Sequence, residues 1–418
     1  MMRRSLLSRH RRVGVALIVT TTVLTTTVAT ATALGGCGAP DGGAKPNLSG
    51  SIPERPERAV TLNVLDVAGN LQLTQGMLDD FVRAHGDIVG KVVTMKATAP
   101  ELAAKIKAQQ DAGRLDIDLV LTGTDGLAAG VAQNLWQKLV PDFAGRLPGL
   151  MDNYLEPAAR MQDLADGYGV VLVYYPSGPL LEYNPKTVPN PPRTADELLA
   201  WAKAHPGKFQ YAVPKNSGPG RTFLMGLPYI LGDSNPKDPE NGWARTWKYL
   251  TDLGQYVSYY PSGTTETMKN LANGTADIVA STTGWDINPR VLGTVPKDMR
   301  ITTLAGFQWV TDAHYAVVPR GVDPGKLAAI LQLVRFMLTP KEQAIAYDKG
   351  YFYPGPAVRG VTLDMAPADS QRAIREYGRP EYDQLINDNP KQASLPPAQQ
   401  VAAFDRWDRT VAGAKANK

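Results

Sequence analysis

Ala59-Val60-Thr61-Leu62-Asn63-Val64-Leu65 is an apolar, largely β-favouring run that Asp66-Val67-Ala68-Gly69-Asn70 breaks. Such a run bounded by Gly, Asn and Asp reads as a strand. Helical spacing of apolar residues follows over Leu73–His85. The pattern then recurs. Lys91–Lys96 predicts a second strand, and Ala97-Thr98-Ala99-Pro100 leads into a helix from Glu101 to Ala112. Asp116–Leu121 predicts a third strand, and Thr122-Gly123-Thr124-Asp125 opens another helix. Strands alternating with helices predict the α/β class with a parallel sheet. Ligands on such sheets sit beyond the carboxyl ends of the strands. Asp66, Asn70, Thr122, Thr124 and Asp125 fall there and are candidate ligand-binding residues, although helix capping alone would account for Thr124 and Asp125.

Upstream, Arg3, Arg4, Arg9, Arg11 and Arg12 precede an apolar, Thr-rich run from Val13 to Leu34, closed by Leu34-Gly35-Gly36-Cys37. A basic start, an apolar stretch and small residues, in that order, predict an export signal over residues 1–36. The small pair before the only cysteine in 418 residues resembles a bacterial lipobox. That resemblance implies cleavage before Cys37, a diacylglyceryl group on its sulfur and an acyl chain such as palmitate on its amino group. The mature protein would then be lipid-anchored at the extracytoplasmic face of the cell membrane. A plain signal with an incidental cysteine, or a single anchor helix, are the alternatives. Residues 37–57 are rich in Gly, Pro and Ser and then charged, which predicts a flexible tether.

The formal charge is +4, and removing the five signal arginines leaves −1. The basic balance therefore belongs to the signal and gives no argument for nucleic-acid binding. With Cys37 lipidated, no thiol remains for a disulfide, a zinc site or nucleophilic catalysis. Four scattered histidines (His10, His85, His205, His314) argue against a His-rich metal site. No cofactor is implied. The length left after the signal fits two ordinary domains.

Downstream, Val140–Asp166 carries Pro141, Pro148 and Pro157 and reads as surface connection. Tyr168–Tyr175 predicts a strand entering a second lobe. Thr194-Ala195-Asp196-Glu197 is a capping box before a helix to His205. Phe209–Val213 predicts a strand, and Asn216–Thr222 opens a helix. Further helices are predicted over Trp243–Leu253 and from Gly263 to Ala272, and strands over Asp277–Ser281, Arg300–Leu304 and within Phe307–Pro319. Asp323–Leu338, Pro340–Lys349, Ala368–Tyr377 and Pro397–Ala412 predict helices.

Three stretches, each weak alone, occur in a telling order. Pro191-Pro192-Arg193-Thr194-Ala195-Asp196-Glu197-Leu198-Leu199, Asn273-Gly274-Thr275-Ala276-Asp277-Ile278 and Leu338-Thr339-Pro340-Lys341-Glu342-Gln343 together resemble the solute-binding lipoproteins of ABC importers, in the branch with thiamine-, polyamine- and ferric-ion-binding members. The resemblance covers most of the chain after Arg58. It implies a two-lobed periplasmic-binding-protein-like fold, with a ligand cleft between lobes joined by hinge strands. It divides the chain into residues 58–167 (first lobe), 168–308 (second lobe) and 309–418 (return to the first lobe and C-terminal helices). It implies a monomer that binds a small solute and delivers it to permease subunits.

Trp309-Val310-Thr311-Asp312 offers an aromatic face and a carboxylate, which a buried ammonium needs. The polyamine-binding branch has a similar pair, but here the spacing is one residue longer, so on a strand the two side chains face opposite sides. Trp285-Asp286 repeats the combination after Thr282-Thr283-Gly284 and brings Thr283 into the candidate set. Ser217-Gly218-Pro219-Gly220-Arg221-Thr222 opens a helix with small residues; its N–H groups suit an anion, and Arg221 suits a carboxylate or phosphate, with Ser217 and Thr222 beside it. Gly263-Thr264-Thr265 makes a similar nest. The plain alternatives are core packing for the tryptophans and capping for the acids and hydroxyls. Tyr174-Tyr175 and Tyr259-Tyr260 resemble iron-ligating phenolates, yet tyrosine is also a favoured strand residue.

The two Trp/Asp pairs favour an amine-bearing solute, polyamine- or thiamine-like, and Trp faces also suit a sugar. A carbohydrate- or metal-binding protein of the same fold is the runner-up. An exported hydrolase is a third reading, but the sequence has no Gly-x-Ser-x-Gly or His-Glu-x-x-His stretch.

Overall fold

β1 (Val60–Val67), α1 (Asn70–Ala84), β2 (Val89–Ala97), α2 (Ala99–Asp111), β3 (Leu119–Gly123) and α3 (Thr124–Ala132) make the three expected strand–helix units. They come from a computed structural model that describes residues 52–67, 69–413 and 415. β1 pairs in parallel with both β2 and β3, as crossover helices require. The signal, Cys37 and the tether as far as Ser51 lie outside the described residues. From Ile52 the chain is already docked, ahead of the expected start at Arg58. Arg146 donates to the carbonyls of Ile52, Pro53 and Glu54 and pairs with the Glu54 carboxylate at 2.8 Å.

α4 (Leu150–Asn153) and α5 (Glu156–Leu164) follow. The expected surface connection over Val140–Asp166 is instead part of the first core: Phe143, Leu147, Tyr154, Ala158 and Met161 are buried there. Prolines cut the stretch into helices too short for a clear period. β4 (Val170–Gly178) is buried along its whole length and runs antiparallel to β9 (Trp309–Val317). β5 (Leu180–Tyr183) then begins a second sheet. The sequence shows no strand here because Pro179 and Pro185 leave too short a run.

The second sheet has the order β6-β7-β5-β8, from β6 (Phe209–Gln210), β7 (Ile278–Ser281) and β8 (Arg300–Thr302). Around it lie α6 (Ala195–Ala204), α7 (Gly218–Ile230), α8 (Ala244–Gly254), α9 (Thr264–Ala272) and α10 (Thr283–Val291). Thr194 caps α6 by accepting from the Glu197 N–H at 3.1 Å, but the Glu197 carboxylate reaches back to the Arg193 N–H, one residue ahead of the expected box partner. β9 returns to the first sheet, whose order is β10-β4-β9-β3-β1-β2, where β10 is Gly355–Pro356.

α11 (Pro324–Met337) is capped by Asp323. α12 (Pro340–Gln343) does not continue to Lys349 as predicted; it passes into 3-10 turns, and Asp348 and Lys349 adopt left-handed backbone. β10 (Gly355–Pro356), α13 (Ala368–Tyr377), α14 (Glu381–Asp388), β11 (Lys391–Gln392, paired with β9) and α15 (Pro397–Trp407) complete the chain. α15 packs Ala403, Phe404 and Trp407 into the second core, and the Trp407 indole donates to the Tyr211 hydroxyl at 3.1 Å. The tail therefore does not stay with the first sheet. The chain passes between the two sheets near residues 178–180, 302–309 and 392–397. No helix among the described residues is long and apolar enough to cross a membrane.

A cleft between the sheets as candidate ligand site

The ends of β1 and β3 run into Gly69 and Gly123, and both glycines line a cleft of about 580 Å³. That volume suits a small organic ligand. Asp125, Tyr175, His314, Tyr351 and Phe352 line it from elements of the first sheet. Ser217, Gly218, Arg221, Gly263, Thr264, Thr265 and Trp285 line it from helices of the second. The starts of α1, α3, α7 and α9 thus all reach one space. The first N–H groups of a helix have no partner inside it, and the helix dipole places partial positive charge there.

The floor is a buried ionic cluster. Asp312, fully buried, accepts from Thr124 Oγ1 at 2.5 Å, from the Tyr175 hydroxyl at 2.8 Å and from the Ala313 N–H at 3.0 Å. Arg221 Nη2 donates to Asp312 Oδ2, and Arg221 Nη1 lies 3.4 Å from Asp125 Oδ2. Arg221 Nε is buried without a partner. Burial alone would push the Asp312 carboxyl up. Arg221, His314 and the hydroxyl donors outweigh it and hold Asp312 below the ordinary carboxylate range. Burial dominates at Asp125 and raises it, with Arg221 opposing. Burial also disfavours a charged Arg221, yet Asp312 and Asp125 raise its affinity for the proton further. Arg221 and Asp312 are therefore both ionised and largely cancel.

His314 is buried, and burial pushes its pKa down to about 4 against the pull of Asp312. Its neutral ring accepts at Nδ1 from Asn70 Nδ2, 2.6 Å away, which leaves its N–H on Nε2. A histidine depressed on folding contributes stability that is complete above pH 6.5 and lost as pH falls towards 4. Asp348, raised by burial to about 7, acts with the opposite sign over the same range. His314→Phe is therefore expected to lose less stability than the parent between pH 7.5 and 5, read from urea midpoints at both. An unchanged difference would refute the assignment.

The structure gathers Asp312, Arg221, Thr124 and Asp125 into one network. Ser217 shares a 2.7 Å hydrogen bond with Thr264, and its hydroxyl accepts from the Gly220 N–H at the start of α7. Trp285, half-buried, meets Tyr351 edge-on with centroids 5.8 Å apart. Asn70 stands one layer back, behind His314.

Other candidates do not face the cleft. Trp309 is fully buried against Phe307 and Tyr382, and its indole donates to the Leu385 carbonyl at 3.0 Å. Its odd spacing from Asp312 sends the two to opposite faces of β9. Asp286 anchors a separate buried cluster of Arg290, Arg379 and Tyr382. Thr283 Oγ1 donates to the Tyr353 carbonyl at 2.6 Å, and Thr222 Oγ1 to the Pro219 carbonyl. Asp66 accepts from the Leu71 N–H at 3.1 Å, holding the first turn of α1. Thr122 is buried against Gly126. The Tyr175 hydroxyl is spent on Asp312, and Tyr259 accepts from Asn270. No group of His, Cys, Asp and Glu among the described residues is placed to hold a metal.

Sequence reasoning missed His314, Tyr351 and Phe352. His314 lies two residues beyond Asp312, on the same face of a strand, and that period was available. Nothing local singles out Tyr351-Phe352.

A family profile described as bacterial extracellular solute-binding protein matches residues 76–373. No curated protein matches the sequence significantly. Solved structures do. The periplasmic binding protein AfuA from Actinobacillus pleuropneumoniae, with fructose-6-phosphate bound, is similar at 14% identity and TM-score 0.58, over 84% of this chain and 99% of that one. A periplasmic thiamin binding protein is 16% identical with TM-score 0.58, over 87% of this chain and 100% of that one. The apo ferric ion-binding protein A of Pasteurella haemolytica is 16% identical with TM-score 0.58, over 84% and 98%. At these identities the likeness concerns the fold.

Proposed function

This chain belongs to the family of bacterial extracellular solute-binding proteins, and on that premise we propose that it captures a small solute bearing a phosphate or carboxylate group. It hands that solute unaltered to the permease of an ABC-type importer, as a monomer tethered through lipidated Cys37. The observation that carries the anionic reading is the meeting of four helix N-termini in one cleft, with the unpartnered Nε of Arg221 in its floor, since the Arg221 charge itself is balanced by Asp312. The amine reading rested on two pairs, Trp309 with Asp312 and Trp285 with Asp286. Trp309 and Asp286 are outside the cleft, Asp312 is already neutralised by Arg221, and Trp285 alone keeps a place in the lining. Among the neighbours, one holds a sugar phosphate and another is a thiamin binder, so the fold itself accommodates either charge.

Thermal unfolding of the full chain with phosphates, carboxylates, amines and neutral sugars tests this. A ligand bound only to the folded state at 100-fold above its Kd adds about 2.7 kcal/mol. Anionic compounds are expected to raise the melting temperature by several degrees. A response confined to amines or to neutral sugars would overturn the anionic reading.

A further inference from the structure

Resting on that anionic reading, we propose that the solute also carries a flat ring, held by an aromatic wall made of Trp285, Tyr351 and Phe352. Two parts of the cleft lining differ in chemistry. One is the polar starts of α7 and α9, with Ser217, Thr264 and Thr265. The other is aromatic. Phe352 stacks on Tyr175 with centroids 4.7 Å apart and planes 26° apart, and it packs on His314 at 4.5 Å. Tyr351 lies 4.2 Å from Phe352 and meets Trp285 edge-on.

This wall is set by unusual backbone. Asp348, Lys349 and Phe352 all have positive φ (24°, 54° and 63°), as do Gly350 and Gly355. Side-chain-bearing residues rarely adopt such angles, and they persist only where surrounding contacts enforce them. Two glycines make room for the turn. A Cβ on Gly284 would lie 2.1 Å from the Phe352 nitrogen, and one on Gly69 would lie 2.7 Å from the Tyr351 hydroxyl. The start of α10 thus yields space to the backbone of Tyr351 and Phe352, and the start of α1 to the Tyr351 side chain. Both rings also pack into the first core, and what they leave uncovered lines the cleft. Tyr351 and Phe352 are placed at the cleft by backbone that would otherwise be unfavourable, and Trp285 beside them keeps part of its surface open.

An aromatic face rewards a ring over an aliphatic chain by offset or edge contact. Calorimetry on the full chain can compare ring and non-ring members sharing one anionic group: phenyl phosphate against glycerol 3-phosphate, and benzoate against acetate. In whichever pair binds, the ring compound is expected to bind about ten-fold tighter. Trp285→Leu and Phe352→Leu, each checked for a cooperative melt, are expected to bring that ratio towards one. Equal affinities within a pair for the parent protein would overturn the ring while leaving the anionic reading intact. An unchanged ratio in folded variants would also overturn it. Failure of all four probes, with amines alone stabilising, would sink both.

Discussion

Replacing Arg221 by methionine is expected to abolish solute capture and to cost about 3–5 kcal/mol of folding stability. Asp312 is fully buried, and the guanidinium beside it is what makes ionisation there tolerable. Thr124 and Tyr175 still donate in the variant, but two neutral donors do not replace a cation. Burial then governs the carboxyl, and its pKa rises. In the parent, a depressed Asp312 contributes stability that is complete above its unfolded value and lost as pH falls through the folded one. In the variant that sign reverses, so the deficit should shrink as pH drops towards 4. The double variant Arg221→Met/Asp312→Leu separates the two roles. Removing both charges is expected to restore part of the stability without restoring binding. Chemical unfolding and calorimetry on the parent, Arg221→Met, Asp312→Leu and the double variant measure both. Binding retained in the single variant would remove Arg221 from the site, and strictly additive losses would show that the two residues do not act as a pair.

Asp286→Ala is expected to be as costly, about 3–5 kcal/mol, and to leave its mark elsewhere. Asp286 accepts from Arg379 Nε and Nη2, from Arg290 and from the Tyr382 hydroxyl. Burial pushes the neighbouring Glu182 well up, with Asp286 adding to the rise, so Glu182 does not supply the missing charge. Two arginines and a tyrosine would lose their acceptor together. Arg290 also donates to the Tyr377 carbonyl and Arg379 to that of Met299, so the cluster clasps the segment around α13 and α14 onto the second sheet. Faster proteolysis within residues 366–390 and a lower urea midpoint are the expected results. An unaltered midpoint would show that the clasp carries no stability.

The strand–helix alternation of the first lobe was legible because each unit has its own period and its own break. The stretch from Gly263 to Ala272 was read almost to the residue, since Gly263 and Asn273 bracket it in sequence. Short elements escaped. β5 has four residues between prolines, and α10 begins at Thr283, just after β7, where the sequence predicts no helix, so Trp285 sits in a first helical turn. The site was half legible for a similar reason. Arg221, Ser217 and Asp125 follow from where helices begin, which is local information. The fate of Trp309 and Asp286 depends on α14, whose Leu385 and Tyr382 arrive from distant sequence to cover them. Tyr351 and Phe352 reach the cleft through left-handed backbone, which binary patterning does not encode.

The last crossing of the chain has a practical consequence. Ile52 is held by Arg146 within the first half, whereas Ala412 is packed in the second core. The two ends of the described chain therefore belong to different halves of the fold. A donor dye near Ile52 and an acceptor near Ala412 would report any rotation between them as a change in energy transfer, which makes the molecule a ready scaffold for an optical sensor of whatever it captures.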